Sequence, residues 1–229
     1  TVPSGLNGAK FIKKFQNYCF LANVKVNYVK YPSRFYWSAI KDIGTWDDAD
    51  FIEVSPDDGE EITGFKTLGA NLIVYKTQSI YSVSFTGDAN VPFIVQKCDS
   101  HVGCVAPYSL QEVMNGHIFL AYDGIYYFDG NNSYKMSDKL NSLLNNYQKS
   151  RFPYAISMYQ KNKNRYWLGI SSASLTINDK VITYDSTSNA FGIYHNVYPS
   201  AMGIFLVGGV DERPYFFDYN GYCYWADNS

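Results

Sequence analysis

Two short runs of acids are the first places where this chain could do chemistry: Asp47, Asp48 and Asp50, then Asp57, Asp58, Glu60 and Glu61. Carboxylates act as acid and base in glycoside hydrolysis when different strands hold them at a fixed separation. Here the acids are near neighbours in sequence and are flanked by Pro56 and Gly59, a pattern that predicts a solvated turn. A calcium site takes about six to eight oxygens, and neither run has the regular Asp-Gly-Glu calcium loop. Calcium is therefore the lesser reading. Asp123 and Asp129 each precede a glycine and read as turn residues rather than a catalytic pair.

The soft ligands give one tight group, Cys98, His101 and Cys104. Structural zinc is held by about four ligands, commonly in two close pairs, and no second pair accompanies this trio. Buried thiols beside a loop histidine are expected. With only Cys19 and Cys223 besides, the cysteines are too few for a disulfide scaffold and are read as reduced. His117 begins a predicted strand and His195 ends one, with no nucleophile beside either. Ser38-Ala39-Ile40-Lys41 matches a Ser-x-x-Lys pattern at the level of chance, and no nucleophile elbow, P-loop or dinucleotide fingerprint is present. The sequence predicts no catalytic, cofactor-binding or metal-binding residue, no cofactor and no enzyme.

A formal net charge of -2 gives no global field for nucleic acid or an acidic membrane. The basic cluster Lys149, Arg151, Lys161, Lys163 and Arg165 is read as a solvated loop. No apolar run approaches the roughly 20 residues of a membrane helix. Thr1 to Gly8 lack the features of a signal peptide, and without an initiator Met the chain reads as an excised domain or trimmed piece of a longer one. The functional lever that remains is aromatic. Tyr28, Tyr31, Tyr108, Tyr134, Tyr194, Tyr198 and Tyr219 fall in predicted loops or strand ends, suited to protein contacts and sugar platforms alike.

The elements that must position these residues are strands. Aromatics make up 18% of the chain, and flat rings suit a pleated surface. One unit recurs: a small-residue strand, two apolar strands joined by a tight turn, and a looser outer strand. The clearest copy runs from Asn115 to Gly130, where Asn115-Gly116 and Asp123-Gly124 offer the positive φ that two-residue hairpins need. Others lie at Asn71 to Phe85, at Arg165 to Tyr184, and at Pro214 to Trp225. In the first copy Tyr18 to Ala22 is separated by a longer loop from Arg34 to Ser38. Spacing of roughly 44 to 54 residues is that of propeller blades. The prediction is an all-β protein, a single β-propeller over residues 1–229 with about five four-stranded antiparallel blades, at roughly 8–54, 62–97, 108–136, 154–194 and 200–226.

Small residues head each unit, namely Gly8-Ala9, Thr63-Gly64, Ser109, Ala155, and Ala201 with Gly203. They are expected to line a crowded central axis. The fifth copy has no fourth strand of its own, and residues near Val2 are expected to supply that edge. One short helix is expected between blades three and four. Ser137 would be its N-cap, Leu140, Leu143, Leu144 and Tyr147 its apolar face, and Lys149 to Arg151 its end, before Pro153.

Two ordered stretches go beyond a generic propeller. One runs Arg34-Phe35-Tyr36-Trp37-Ser38, Gly44-Thr45-Trp46, Phe51-Ile52-Glu53-Val54, Asp57-Asp58-Gly59, Ile62-Thr63-Gly64 and Leu72-Ile73-Val74-Tyr75-Lys76 to Ile80-Tyr81. The other runs Val102 to Ser109, Ile118-Phe119-Leu120, Asp123 to Tyr126, Phe128-Asp129-Gly130 and Met136 to Leu140. Their order resembles the β-propeller structural proteins of tailed bacteriophages, found in tail hubs, tail tubes and head-to-tail connector rings. The resemblance covers about Asn17 to Leu144 and carries no catalytic residues. It implies a virion protein, assembled in the bacterial host cytoplasm, that forms a ring with copies of itself or contacts other tail, connector or portal proteins. The alternatives are a carbohydrate-binding, lectin-like propeller with one shallow site per blade and, less favoured, a five-bladed glycosidase.

Overall fold

The structure is a computed structural model and describes residues 2–172 and 176–226. It is all-β, with five separate antiparallel sheets in which neighbouring strands follow chain order. Sheet 1 holds β1 (Leu6–Phe15), β2 (Tyr18–Val26), β3 (Val29–Ala39) and β4 (Asp42–Glu53), and sheet 2 holds β5 (Ile62–Leu68), β6 (Asn71–Lys76), β7 (Ile80–Phe85) and β8 (Phe93–Lys97). Sheet 3 holds β9 (Gln111–Val113), β10 (Gly116–Ala121), β11 (Gly124–Phe128) and β12 (Ser133–Lys135). Sheet 4 holds β13 (Ile156–Gln160), β14 (Arg165–Ile170), β15 (Lys180–Asp185) and β16 (Ala190–His195). Sheet 5 holds β17 (Pro199–Val207), β18 (Asp211–Asp218) and β19 (Cys223–Trp225).

The chain divides into two compact units, one of Thr1–Cys104 with Gly130–Ser133, the other of Val105–Asp129 with Tyr134–Ser229. In the first, alternate residues of β2 and β3 point Phe20, Ala22, Phe35 and Trp37 inward against Phe65, Leu72, Val74, Val83 and Phe93 of sheet 2. The Phe20 ring meets Phe93 edge-on at 4.9 Å, a geometry that aligns ring edge with ring face. The expected loop between β2 and β3 is instead more strand. Val26 pairs with Val29, and the two turn residues Asn27 and Tyr28 both take positive φ, 48° and 66°, the signature of a type I′ hairpin. Asn23, at φ 53°, marks a bulge in β2, and its Nδ2 donates to Ile62 O of β5 at 3.0 Å.

In the second unit, sheets 3 and 4 enclose Ile118, Leu120, Ile125, Tyr166, Leu168, Ile170 and Ile182, and Leu144, Tyr147 and Phe152 close that core from the connection between them. The helix there is shorter than its spacing predicts. A 3₁₀ turn over Asp138–Leu140 leads into α1 (Asn141–Asn145), and Lys149 to Arg151, expected to end the helix before Pro153, instead begin another 3₁₀ turn, Lys149–Tyr154, with Pro153 inside. Ser137 makes no side-chain cap. Its Oγ accepts the Ile125 amide at 2.9 Å, so the hydroxyl joins the sheet rather than the helix.

Three expectations about small residues and edges are corrected. At Asp123-Gly124 no residue takes positive φ. A Cβ on Gly124 would lie 2.5 Å from Ser137 Oγ, so this glycine serves close packing. Asn115 does take the left-handed slot, at φ 60°, while Gly116 lies beneath Phe128 O and the Tyr127 ring. Crowding is not shared by the five small-residue positions: Thr63, Ser109 and Ala155 are buried, but Gly8, Ala9 and Ala201 are exposed. Among the described residues sheet 5 has three strands, and the segment around Val2 turns onto its own unit. There the Leu6 amide donates to Pro3 O and the Ser4 amide to Asp48 Oδ1 at 2.6 Å.

Candidate functional site

The acids expected in solvated turns are mostly put to structural use. Asp47 to Asp50 bulge from β4, because Trp46 pairs with Ser38 while Phe51 pairs with Tyr36. The Asp48 carboxyl is held below its ordinary range by the Ser4 amide, and that of Asp50 is pushed up by burial, then by Asp47. The second run closes on a residue that sequence reasoning missed. Lys76, at the end of β6, is fully buried, and its ammonium donates to Asp58 (2.6 and 2.5 Å), Val54 O (2.8 Å) and Ser55 O (3.1 Å). Every proton of the ammonium thus has an acceptor, which a buried charge requires. Glu60 accepts the Gln78 amide and the Ser79 hydroxyl, both at 2.9 Å. Burial raises the Glu61 carboxyl, but bonds from Lys10 and Asn23 hold it below the usual range overall. The available signal was a lone lysine closing the apolar run Leu72 to Tyr75, with an acidic turn as its counter-charge.

Cys98 and Cys104 are buried thiols and His101 is exposed. Cys98 Sγ lies 3.9 Å from Gly130 O, the Cys104 amide donates to Lys76 O at 2.9 Å, and burial pushes the Cys19 thiol up. Among the described residues no cluster of His, Cys, Asp and Glu is placed to hold a metal. Ser38 Oγ accepts the Cys19 amide at 3.0 Å and donates to Ala39 O, so the Ser-x-x-Lys match is a strand-pairing feature. His117 is buried and His195 exposed. Asp123 accepts from Lys135 and from the Tyr126 hydroxyl, both at 2.9 Å, and Asp129 accepts from Tyr134 at 3.0 Å. The basic cluster is not simply solvated. Lys149 donates to Tyr122 O and lies over the Tyr122 ring, Arg151 lies 4.2 Å from the Tyr154 ring centre, and Arg165 reaches Asp185.

Two features of the second unit look outward. The first is a cleft of about 310 Å³ between sheets 3 and 4, walled by Val113, Met114, Ile118, Tyr127, Tyr134, Met136, Tyr159, Tyr184 and Ser186. It adjoins a hollow of about 360 Å³ bordered by Glu112, Lys161 and Asn164. All four tyrosine hydroxyls are tethered: Tyr127 donates to Asn115 O, Tyr134 to Asp129, Tyr159 to Asn164 and Tyr184 to Asn189, at 2.8, 3.0, 3.2 and 3.0 Å. Burial, then a nearby carboxylate, raises the phenols of Tyr127, Tyr159 and Tyr184 above the ordinary range, and for Tyr134 the bond to Asp129 comes first. The rings are fixed and stay neutral. Of these four only Tyr134 was singled out by its position in the sequence; the rest carry the alternating pattern of ordinary core.

The second feature is sheet 5. Met202 and Ile204 pack with Met158, Trp167 and Val181 of sheet 4. Strand alternation and the pairing of Phe205 with Arg213, Gly203 with Tyr215, and Tyr215 with Trp225 put Phe205, Arg213, Tyr215 and Trp225 on the opposite face. There Phe205 meets Tyr215 edge-on at 5.3 Å and Arg213 lies over Trp225 at 4.4 Å. Phe205 remains 48% and Trp225 38% exposed. Of the loop tyrosines expected at the surface, Tyr28, Tyr108, Tyr134, Tyr194, Tyr198 and Tyr219 are exposed. Tyr31 is half-buried, its ring centre 3.8 Å from the Arg34 guanidinium.

No protein-family model matches the chain, and no curated protein sequence matches it. Similarity appears among solved structures. The YCF48 structure, bound to a D1 peptide, aligns over 100% of this chain and 70% of its own, at 11% identity and a TM-score of 0.56. BBS1N in complex with ARL6DN aligns over 93% of this chain and 62% of its own, at 11% identity and a TM-score of 0.49. The computationally designed Ika4 protein aligns over 72% and 90%, at 13% identity and a TM-score of 0.43. The YCF48 likeness, joined to five successive antiparallel meanders, establishes the fold class: this chain is a β-propeller protein.

Proposed function

We propose that the chain is a non-enzymatic structural protein of a tailed-bacteriophage virion, a propeller scaffold of the tail or head-to-tail connector that binds neighbouring virion proteins and copies of itself. The observation that carries the reading is the aromatic face of sheet 5. Aromatic rings with an arginine among them, partly exposed on one sheet face, have the composition of protein-contact centres. The ordered resemblance from Asn17 to Leu144 supplies the virion context, and the structural use of Asp58, Glu60 and Glu61 supports a scaffold over a hydrolase. The test is peptide mass spectrometry and cryo-microscopy of purified parent particles. The chain is expected at stoichiometric copy number, with Phe205 and Trp225 against a neighbour. Particles that lack it refute the proposal.

A further inference from the structure

We infer that the tyrosine cleft between sheets 3 and 4 is a binding site for a neutral carbohydrate, of the size of one or two pyranose rings. A pocket of this volume lies at the small end of ligand sites. Its walls are aromatic faces and thioether or aliphatic groups, against which the C–H face of a sugar ring packs with loss of water from both. The polar atoms sort the ligand class further. Each tyrosine proton is already committed to Asn115, Asp129, Asn164 or Asn189, so toward a ligand the phenol oxygens can only accept. Ser186 likewise donates to Asn164 O. The cleft thus presents acceptors to a ligand rich in hydroxyl donors. The cleft's own walls carry no charged side chain, and Glu112 and Lys161 on the adjoining border offset each other, so nothing there selects phosphates or other anions. The tethers also hold the walls in place before binding, so little side-chain ordering opposes it. One built cleft, rather than a shallow site on each blade, is the arrangement inferred.

Saturation-transfer NMR on the full chain tests this, with the methyl glycosides of glucose, galactose, mannose and N-acetylglucosamine as probes. At least one is expected to receive saturation at its ring protons. Affinity should fall about tenfold in Tyr134→Ala, which removes one ring face, and fall in Met114→Ala, while Phe205→Ala on sheet 5 leaves it unchanged. Tyr134 and Met114 are exposed, so both variants should fold, and circular dichroism checks this. Transfer to none of the four glycosides overturns the inference. So does transfer that survives both cleft variants, or that is lost in Phe205→Ala.

Discussion

Replacing Lys76 with methionine keeps the buried stem and deletes the ammonium, leaving Asp58, Val54 O and Ser55 O facing a methyl group. Removing one partner of a buried ion pair costs about 3–5 kcal/mol. The Asp58 side chain is 26% exposed and that of Lys76 is 0%, so water can recover part of the carboxylate's loss. The expected cost is then at the low end, about 3 kcal/mol. With a urea slope of about 2 kcal/mol per molar, the unfolding midpoint should drop by about 1.5 M with the slope unchanged. Hydrogen-exchange mass spectrometry should show faster exchange across residues 54–60, where Val54 N–H bonds to Ser33 O and Asp58 N–H to Ser55 O. Asp58→Asn leaves the fully buried ammonium without its counter-charge and should cost at least as much alone, and the double variant should show a coupling of about 1–3 kcal/mol. A midpoint shift under about 0.5 M, or unchanged exchange in that turn, would refute the view that this ammonium organises it.

Three further outcomes are expected. Gly116→Ala should destabilise by about 1–3 kcal/mol, since its Cβ would sit 2.3 Å from Phe128 O, whereas Gly8→Ala should change stability by less than about 0.5 kcal/mol, having nothing within 4 Å; thermal denaturation of both compares them. Burial raises the Asp179 carboxyl, but bonds from the Ser172 amide and hydroxyl and from Lys180 lower it overall. Its contribution should therefore be complete above the unfolded value of about 3.9 and fade as pH falls through the lower folded value, a slope that Asp179→Asn should remove from urea midpoints measured between about pH 6 and 2.5. Phe205→Ser with Trp225→Ala should leave the melting temperature nearly unchanged, both being partly exposed, yet abolish co-assembly with neighbouring virion proteins in pull-downs.

The fold class was legible because its signals are local. Aromatic and β-branched residues crowd the inner strands of the units, as in β6, β10, β11, β14 and β15, and Asn115 and the Asn220-Gly221 step sit where turns need them. What escaped depends on pairs that distance in sequence conceals. Glycines read as turn formers prove, at Gly124 and Gly116, to make room for Ser137 and Phe128. The hairpin at Asn27 and Tyr28 was hidden because lysines and a proline interrupt its apolar pattern. Lys76 looked like the edge of a strand until the turn eighteen residues earlier folded over it. The cleft is harder still, since in-and-out alternation assigns faces within one sheet and says nothing of the gap where two sheets diverge. Tyr127, Tyr159 and Tyr184 follow core periodicity and yet wall a hollow.

The four thiols differ in a way that can be put to use. Cys19, Cys98 and Cys104 lie inside, while Cys223 sits exposed on β19, paired with Phe217 on the face that also carries Trp225. A maleimide dye applied to the folded protein should therefore attach once, at Cys223. That single label stands beside the aromatic face of the fifth sheet, where its colour or quenching would report the arrival of whatever covers it.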